Sequence, residues 1–183
     1  LYKTYGVDVT VVELLPRLVP SEDEEISRWL ERAFSRQGIK VVTGAAVTGL
    51  DTRLAGVALK VDKDGVTQTI TGEKVLVAIG VQPNSEDLGL EELGIATQKG
   101  YIQIDDAMAT NLPGVYAVGD VTGKLALAHV ASAQGVTAVE HIAGLEPQPL
   151  DYVSMPRATY CQPQVASFGL TEAQARDQGR QVK

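Results

Sequence analysis

The sequence predicts an α/β fold: a partial doubly wound parallel sheet with a β-hairpin meander, followed by further α/β structure and the start of an α+β piece. Three observations predict it. Val7–Glu13 (VDVTVVE) and Ile39–Val42 (IKVV) are short, β-branched apolar runs on either side of a helical stretch. That is the pattern of a βαβ unit whose parallel strands are covered on both faces. Val57, Leu59 and Val61 recur at every second position ahead of the turn sequence Asp62–Gly65 (DKDG), the alternation of a half-buried strand entering a hairpin. Lys74–Gly80 (KVLVAIG) is apolar almost throughout, as expected of a fully buried strand.

Taken in order, LYKTYG reads as the last turns of a helix closed by Gly6. There is no initiator Met, and the final GRQVK stops where a strand would start, so both ends are expected to continue into a longer polypeptide. After the first strand, Ser21 and Glu24 have the spacing of a capping box. Ile26, Trp29, Leu30, Ala33 and Phe34 then form one apolar helical face, and Gly38 ends the helix. Val47–Leu50 is a candidate strand, and Thr67–Thr71 pairs back on the strand before it. VQPNSEDLG is rich in breakers and marks a first boundary. Beyond it lie a short helix at Glu91–Leu93, a strand at Tyr101–Ile104 and a second small-residue strand at Val115–Val118. Ala128–Ala143 is a helix of small residues, and LEPQPLDY is a second linker. Strands are expected near Arg157–Tyr160 and Val165–Phe168, then a helix capped by Thr171 with Gln174.

Composition excludes several roles. The formal charge of −7 gives no basic face for nucleic acid or an anionic membrane surface. No apolar run is long enough for a helix to cross a bilayer. The single cysteine, Cys161, forms no disulfide framework and no metal-type cysteine pair; it is read as an inert small residue, and the composition suits a reducing, cytoplasmic setting. Neither a metal site nor a catalytic residue is predicted within this sequence.

Two carboxylates stand where ligands meet such sheets. Glu13 ends a parallel strand, at the edge where an acid can accept two hydrogen bonds from a ribose diol and repel a 2′-phosphate. The same position suits a surface acid that merely ends a strand. Asp120 ends the strand of TNLPGVYAVGD behind Gly119, which lets backbone approach a ligand closely while the carboxylate faces outward. It is read either as a ligand of a polyhydroxylated cofactor chain or as a turn cap. His129 opens the helix in LALAHVASAQG, whose unpaired N–H groups and partial positive charge suit an anionic ring or phosphate; backbone rather than imidazole is expected to act there.

VTVVE, KVLVAIGVQPN, TNLPGVYAVGDVTG, LALAHVASAQG and TYCQPQVASFGLTEAQA occur in an order and spacing that resembles the flavin-dependent pyridine nucleotide–disulfide oxidoreductases, most of all their dihydrolipoamide dehydrogenase branch. Each segment is ordinary alone; five in order over nearly the whole chain are specific. The resemblance implies a partial NAD-binding domain of Rossmann type over 1–80, the C-terminal part of an FAD-binding domain over 81–149, and the start of a dimerisation domain over 150–183. It implies FAD and NAD as cofactors. Glu13, Val47 and Gly80 match contacts to NAD, Asp120 matches the acid on the FAD ribityl chain, and Ala126, Leu127, Ala128 and His129 match the segment facing the flavin.

The activity implied is oxidation of protein-bound dihydrolipoamide by NAD through FAD and a redox disulfide, in a homodimer serving 2-oxo acid dehydrogenase or glycine cleavage complexes. The cysteine pair and the His-Glu pair of that chemistry are not in this sequence, so the fragment alone is expected to be inactive and to associate through unpaired strand edges or have poorly ordered ends. Val81 and Gln82 stand where many relatives carry arginine, and Ala126 where a larger Met is common. Two alternatives stay open: a sister enzyme such as mercuric reductase, glutathione reductase or transhydrogenase, and a non-catalytic nucleotide-binding or dimerising module.

Overall fold

The computed structural model describes residues 1–52 and 55–182. The chain divides into two compact units, one of Leu1–Ala78 with Ala158–Lys183 and one of Ile79–Arg157.

The first unit opens with a 3-10 turn over Tyr2–Tyr5, closed by Gly6 in the left-handed region. β1 (Thr10–Val12) and β2 (Lys40–Val42) pair in parallel, Val11 opposite Val41, joined by the crossover helix α1 (Glu24–Arg36). This is the expected βαβ unit, with a shorter first strand. The Glu13 N–H extends the ladder to the Val42 carbonyl at 2.9 Å.

α1 departs from expectation in two ways. Its N-cap is Asp23, not Ser21, because residues 19–22 close a turn, with the Glu22 N–H on the Val19 carbonyl at 3.0 Å, and Ser21 falls outside the helix. The Asp23 carboxylate accepts no bond from its own helix and takes the Glu172 N–H at 2.7 Å instead. The buried stripe is Ser27 and Leu30, while Ile26 and Trp29 are exposed. Trp29 donates to Glu25 and stacks under the Arg32 guanidinium, a surface arrangement.

β3 (Ala46–Asp51), β4 (Val57–Lys63) and β5 (Val66–Gly72) form the predicted antiparallel meander in that order, with a bulge between Val47 and Gly49. Lys63 faces Val66 across the Asp64–Gly65 turn, where both central residues have positive φ. That hand matches the twist of a two-residue hairpin. Val61 is fully buried and Val57 and Leu59 half-buried.

Lys74–Gly80 is not the buried strand expected. It joins no ladder among the described residues, and Leu76, Val77 and Ile79 are largely exposed. A parallel strand needs hydrogen-bonded neighbours, and none of the named strands lies beside this segment.

The second unit holds β6 (Thr97–Gln98) and β7 (Tyr101–Ile102), a two-stranded hairpin, and α2 (Ala128–Ile142). The strand expected through Ile104 therefore stops two residues early. Its core is Ile95, Ile102 and Ala117, packed by Leu90, Ile104, Leu112, Val115 and Val121. Glu91–Leu93 forms a hydrogen-bonded turn rather than a helix, with the Ile95 N–H returning to the Leu90 carbonyl at 2.8 Å. Val115–Val118 makes one antiparallel bridge, Tyr116 to Ala109, rather than a strand. The tight turn through Asn111–Gly114 folds the chain back at once, and the Thr110 hydroxyl donates to the Val115 carbonyl, so no ladder extends.

The chain then returns to the first unit through β8 (Arg157–Thr159), which pairs with β9 (Val165–Ser167), and α3 (Glu172–Asp177). Both strands fall inside the predicted ranges. Thr171 and Gln174 form the capping box foreseen at α3. Gln37 donates to the Gln162 carbonyl at 2.7 Å, and with the Asp23 contact this ties the C-terminal segment to the ends of α1.

Candidate functional site

The described part of the second unit holds an open cavity of about 370 Å³ lined by Val81, Gln82, Pro83, Asn84, Tyr101, Asp120, Val121, Gly123 and Ala126. A cavity at the lower end of ligand-pocket sizes suits one segment of a dinucleotide rather than the whole. Its polar side chains are Tyr101, whose hydroxyl donates to the Val81 carbonyl at 3.4 Å, and Asp120, Gln82 and Asn84, whose carboxylate and amides have no side-chain hydrogen-bond partner among the described residues. The residues present thus fit a hydroxyl-rich chain, which both donates to a carboxylate and accepts from amides. Gln82 makes this wall uncharged where an arginine would have made it basic.

Asp120 begins a short 3-10 turn, Asp120–Thr122, directly after Gly119. Ala126 lines the same cavity, and Leu127 is the N-cap of α2, with no side chain capping the helix. The first-turn N–H groups around Ala128 and His129 therefore keep their positive end uncompensated. The His129 imidazole is engaged elsewhere: its Nε2 donates to the Pro156 carbonyl at 2.9 Å, which assigns the proton to Nε2 because a carbonyl only accepts.

The other predicted residues do not line this cavity. Glu13 lies in the first unit, just past β1, with its Oε1 taking the Leu15 N–H at 2.8 Å and its carbonyl taking the Ala45 N–H at 3.0 Å. One carboxylate oxygen is thus spent on orienting the group, and the second is without a partner among the described residues. Val47 follows two residues beyond Ala45, half-exposed at the bulge of β3. Gly80 sits in the second unit, exposed and with positive φ.

Sequence reasoning missed Gln134. It is buried on α2 in line with Val130, Thr137 and Ala138, and it accepts the Gly119 N–H at 2.6 Å. The signal was present: an amide placed on the same helical stripe as those residues. Tyr152, which receives the Gln134 amide, was missed because it lies at the end of the stretch read as a proline-rich linker. Asp151 holds that linker, its carboxylate accepting the Ser154 hydroxyl at 2.6 Å and the Val153 N–H at 3.0 Å.

The Ser154 hydroxyl, then the backbone N–H groups, hold the Asp151 carboxyl below its ordinary value of 3.8. A depressed carboxyl binds its proton more weakly when folded, so the contribution is complete above pH 3.8 and lost as pH falls below it. Amide exchange at Val153 and Ser154 is expected to accelerate relative to neighbouring loops in that acid range. In Asp151→Asn the extra acid sensitivity disappears. Burial pushes the Cys161 thiol up from its usual value, in keeping with an inert residue.

Among the described residues no helix is long and apolar enough to cross a membrane, and no cluster of His, Cys, Asp and Glu is arranged to hold a metal. The family model described as pyridine nucleotide-disulphide oxidoreductase matches residues 1–135. The chain belongs to this family. Within the pyridine nucleotide-disulphide oxidoreductases it is 54% identical over 182 residues to the dihydrolipoyl dehydrogenase of Mycobacterium leprae, covering 98% of this chain and 39% of that protein. The corresponding enzyme of Bacillus subtilis is 45% identical, again over 98% of this chain and 38% of the relative. The chain thus spans about two fifths of the length of the curated relatives it matches.

The crystal structure of LpdA from Mycobacterium tuberculosis superposes with a TM-score of 0.87 at 31% identity, over 97% of this chain and 38% of that one. The HOCl-induced flavoprotein disulfide reductase RclA of Escherichia coli gives the same TM-score at 24% identity, covering 100% of this chain and 41% of RclA, a likeness of fold. The mixed helix and strand architecture is therefore that of this family.

Proposed function

We propose that this chain is part of a dihydrolipoyl dehydrogenase, a flavoprotein that oxidises protein-bound dihydrolipoamide with NAD, and that its own residues wall the two cofactors. Residues 1–80 belong to the NAD-binding domain, 81–149 close the FAD-binding domain, and 150–183 begin a dimerisation domain. The observation that carries the reading is the Asp120 carboxylate, unpartnered among the described residues at the edge of a cavity with two free amides, and close in sequence to the uncapped start of α2.

Asp120 accepts hydrogen bonds from the sugar-alcohol hydroxyls of FAD, and Ala126 and Leu127 present the backbone of the helix start to the flavin end. The α2 N–H groups at Ala128 and His129 stabilise negative charge placed above them. When bound, the flavin supplies the two-electron chemistry between dithiol and nicotinamide. In the first unit, Glu13, held by the Leu15 N–H, accepts the ribose diol of NAD and repels a 2′-phosphate, with Val47 a further NAD contact.

The chain contains one cysteine, so the dithiol–disulfide step belongs to residues elsewhere in the full-length enzyme. That enzyme is proposed to be a cytoplasmic homodimer associating with lipoyl-bearing complexes. Asp120→Asn in the full-length protein tests the central assignment. Trading a charge-assisted hydrogen bond for a neutral one weakens flavin binding roughly ten- to a hundredfold, read by flavin release in equilibrium dialysis. Unchanged retention would remove the reading.

A further inference from the structure

The most buried polar side chain in the second unit does not line the cavity described above. Gln134 is 1% exposed on α2, where the other buried residues are Val130, Thr137 and Ala138. A buried amide is costly unless each of its groups is bonded, and here each is. Oε1 accepts the Gly119 N–H at 2.6 Å, while Nε2 donates to the Tyr152 hydroxyl at 3.0 Å and, more weakly, to Thr122 Oγ1 at 3.4 Å. A backbone N–H can only donate, so the amide orientation is fixed by its partner.

These bonds converge on the residue before Asp120. Gly119 has φ 82° and ψ −158°, a region that glycine alone enters readily. Its N–H is held by Gln134, and its carbonyl accepts both the Thr122 N–H at 3.0 Å and the Thr122 hydroxyl at 2.8 Å. The peptide groups on both sides of the glycine are thus clamped. Left free, this corner would sample the widest conformational range of any residue type, carrying Asp120 with it. Tyr152, the third point of the clamp, is itself placed by the Asp151 turn and contacts Met108 Sδ at 4.0 Å.

We infer that Gln134 is a positioning residue, clamping the Gly119–Asp120 corner so that the Asp120 carboxylate stands at the cavity, and acting on the cofactor only through Asp120. The inference rests on the cofactor reading above. It is tested in the full-length flavoprotein with Gln134→Leu, Gln134→Glu, Asp120→Asn and the double variant Asp120→Asn/Gln134→Leu. The readouts are the flavin dissociation constant and the visible circular dichroism of the bound flavin.

Gln134→Leu keeps the volume and loses every bond, and is expected to weaken flavin binding about tenfold and to change the dichroism. Gln134→Glu retains an acceptor for the Gly119 N–H, with the Tyr152 hydroxyl free to turn and donate, and restores most of the affinity. Gln134→Leu costs clearly less in the Asp120→Asn background than in the natural protein, because the neutral amide left at the corner gains less from being aimed than the carboxylate does. Should Gln134→Leu not fold, Thr122→Val, which removes only the hydroxyl from the clamp, enters the same cycle with Asp120→Asn.

Losses that multiply in the double variant, or a Gln134→Leu protein that binds flavin normally while Asp120→Asn does not, overturn the inference alone. Normal binding by Asp120→Asn overturns the cofactor reading and the inference with it.

Discussion

Leu30→Ala in the full-length protein is expected to lower stability by about 2–5 kcal/mol, the range for truncating a buried leucine. Leu30 is 3% exposed and is the one large apolar side chain of α1 that is fully covered. It holds the crossover helix in the unit whose parallel pair, β1 and β2, ends at Glu13, so its removal loosens the frame behind that carboxylate. Urea denaturation followed by circular dichroism measures the loss. Trp29→Ala is the control. Trp29 is 53% exposed, and its contacts are the Glu25 carboxylate at 3.3 Å and the Arg32 guanidinium 5.8 Å from the ring centroid. Exposed contacts of that kind are worth about 0.5–1 kcal/mol. A larger loss at Trp29 than at Leu30 would mean that the buried face of α1 has been assigned the wrong way round.

That ordering could not be read from the sequence. Periodicity places Ile26, Trp29, Leu30, Ala33 and Phe34 on one face, and it cannot say which part of a wide apolar face a narrow two-stranded ladder covers. The covered part is Leu30 with Ser27, which lies on that face three residues before Leu30 but carries no apolar signal in its side chain. Local chemistry was legible where the signal is self-contained. Asp64–Gly65 set the register of β4 on β5, and Thr171 with Gln174 capped α3. It failed where pairing depends on distant chain. Lys74–Gly80 is as apolar as any buried strand yet joins no ladder among the described residues, and Val115–Val118 forms a single isolated bridge.

The site divides in the same way. Asp120 was singled out from the local Gly-Asp step and Ala126 only through the family resemblance, and both line the one cavity described above. Gln134, Tyr101 and Tyr152 were not, since their importance comes from what reaches them through space. His129 stands at the helix start as expected, and its ring, which the sequence reading did not assign to a ligand, is engaged with the Pro156 carbonyl.

Gly123→Ala is expected to cost about 2–5 kcal/mol and to deform the cavity as well, the sum of a backbone and a steric part. Gly123 closes the Asp120–Thr122 turn with φ 68°, its N–H on the Asp120 carbonyl at 3.1 Å. A side chain in that left-handed conformation costs roughly 1–2 kcal/mol. The added methyl would also lie 2.8 Å from Cγ and Cδ1 of Tyr101, well inside contact distance. These atoms stand at the root of the side chain, with Tyr101 Cβ at 3.2 Å as well, so the whole ring must shift and the backbone of β7 with it, against a hydroxyl bond to the Val81 carbonyl of only 3.4 Å. Tyr101 and Val81 both line the cavity, and the displaced ring moves the wall that faces Asp120. Overpacking of this kind adds about 1–3 kcal/mol. Gly114→Ala separates the two contributions. Gly114 has φ 80°, and a methyl added there would meet nothing within 4 Å, so only the backbone cost applies. Denaturation midpoints of the two variants should differ by the steric part alone, and adding Tyr101→Ala to Gly123→Ala should recover that part. Equal losses at the two glycines, with no recovery when the ring is removed, would show that Tyr101 does not press on this turn and that the cavity wall is set by other residues.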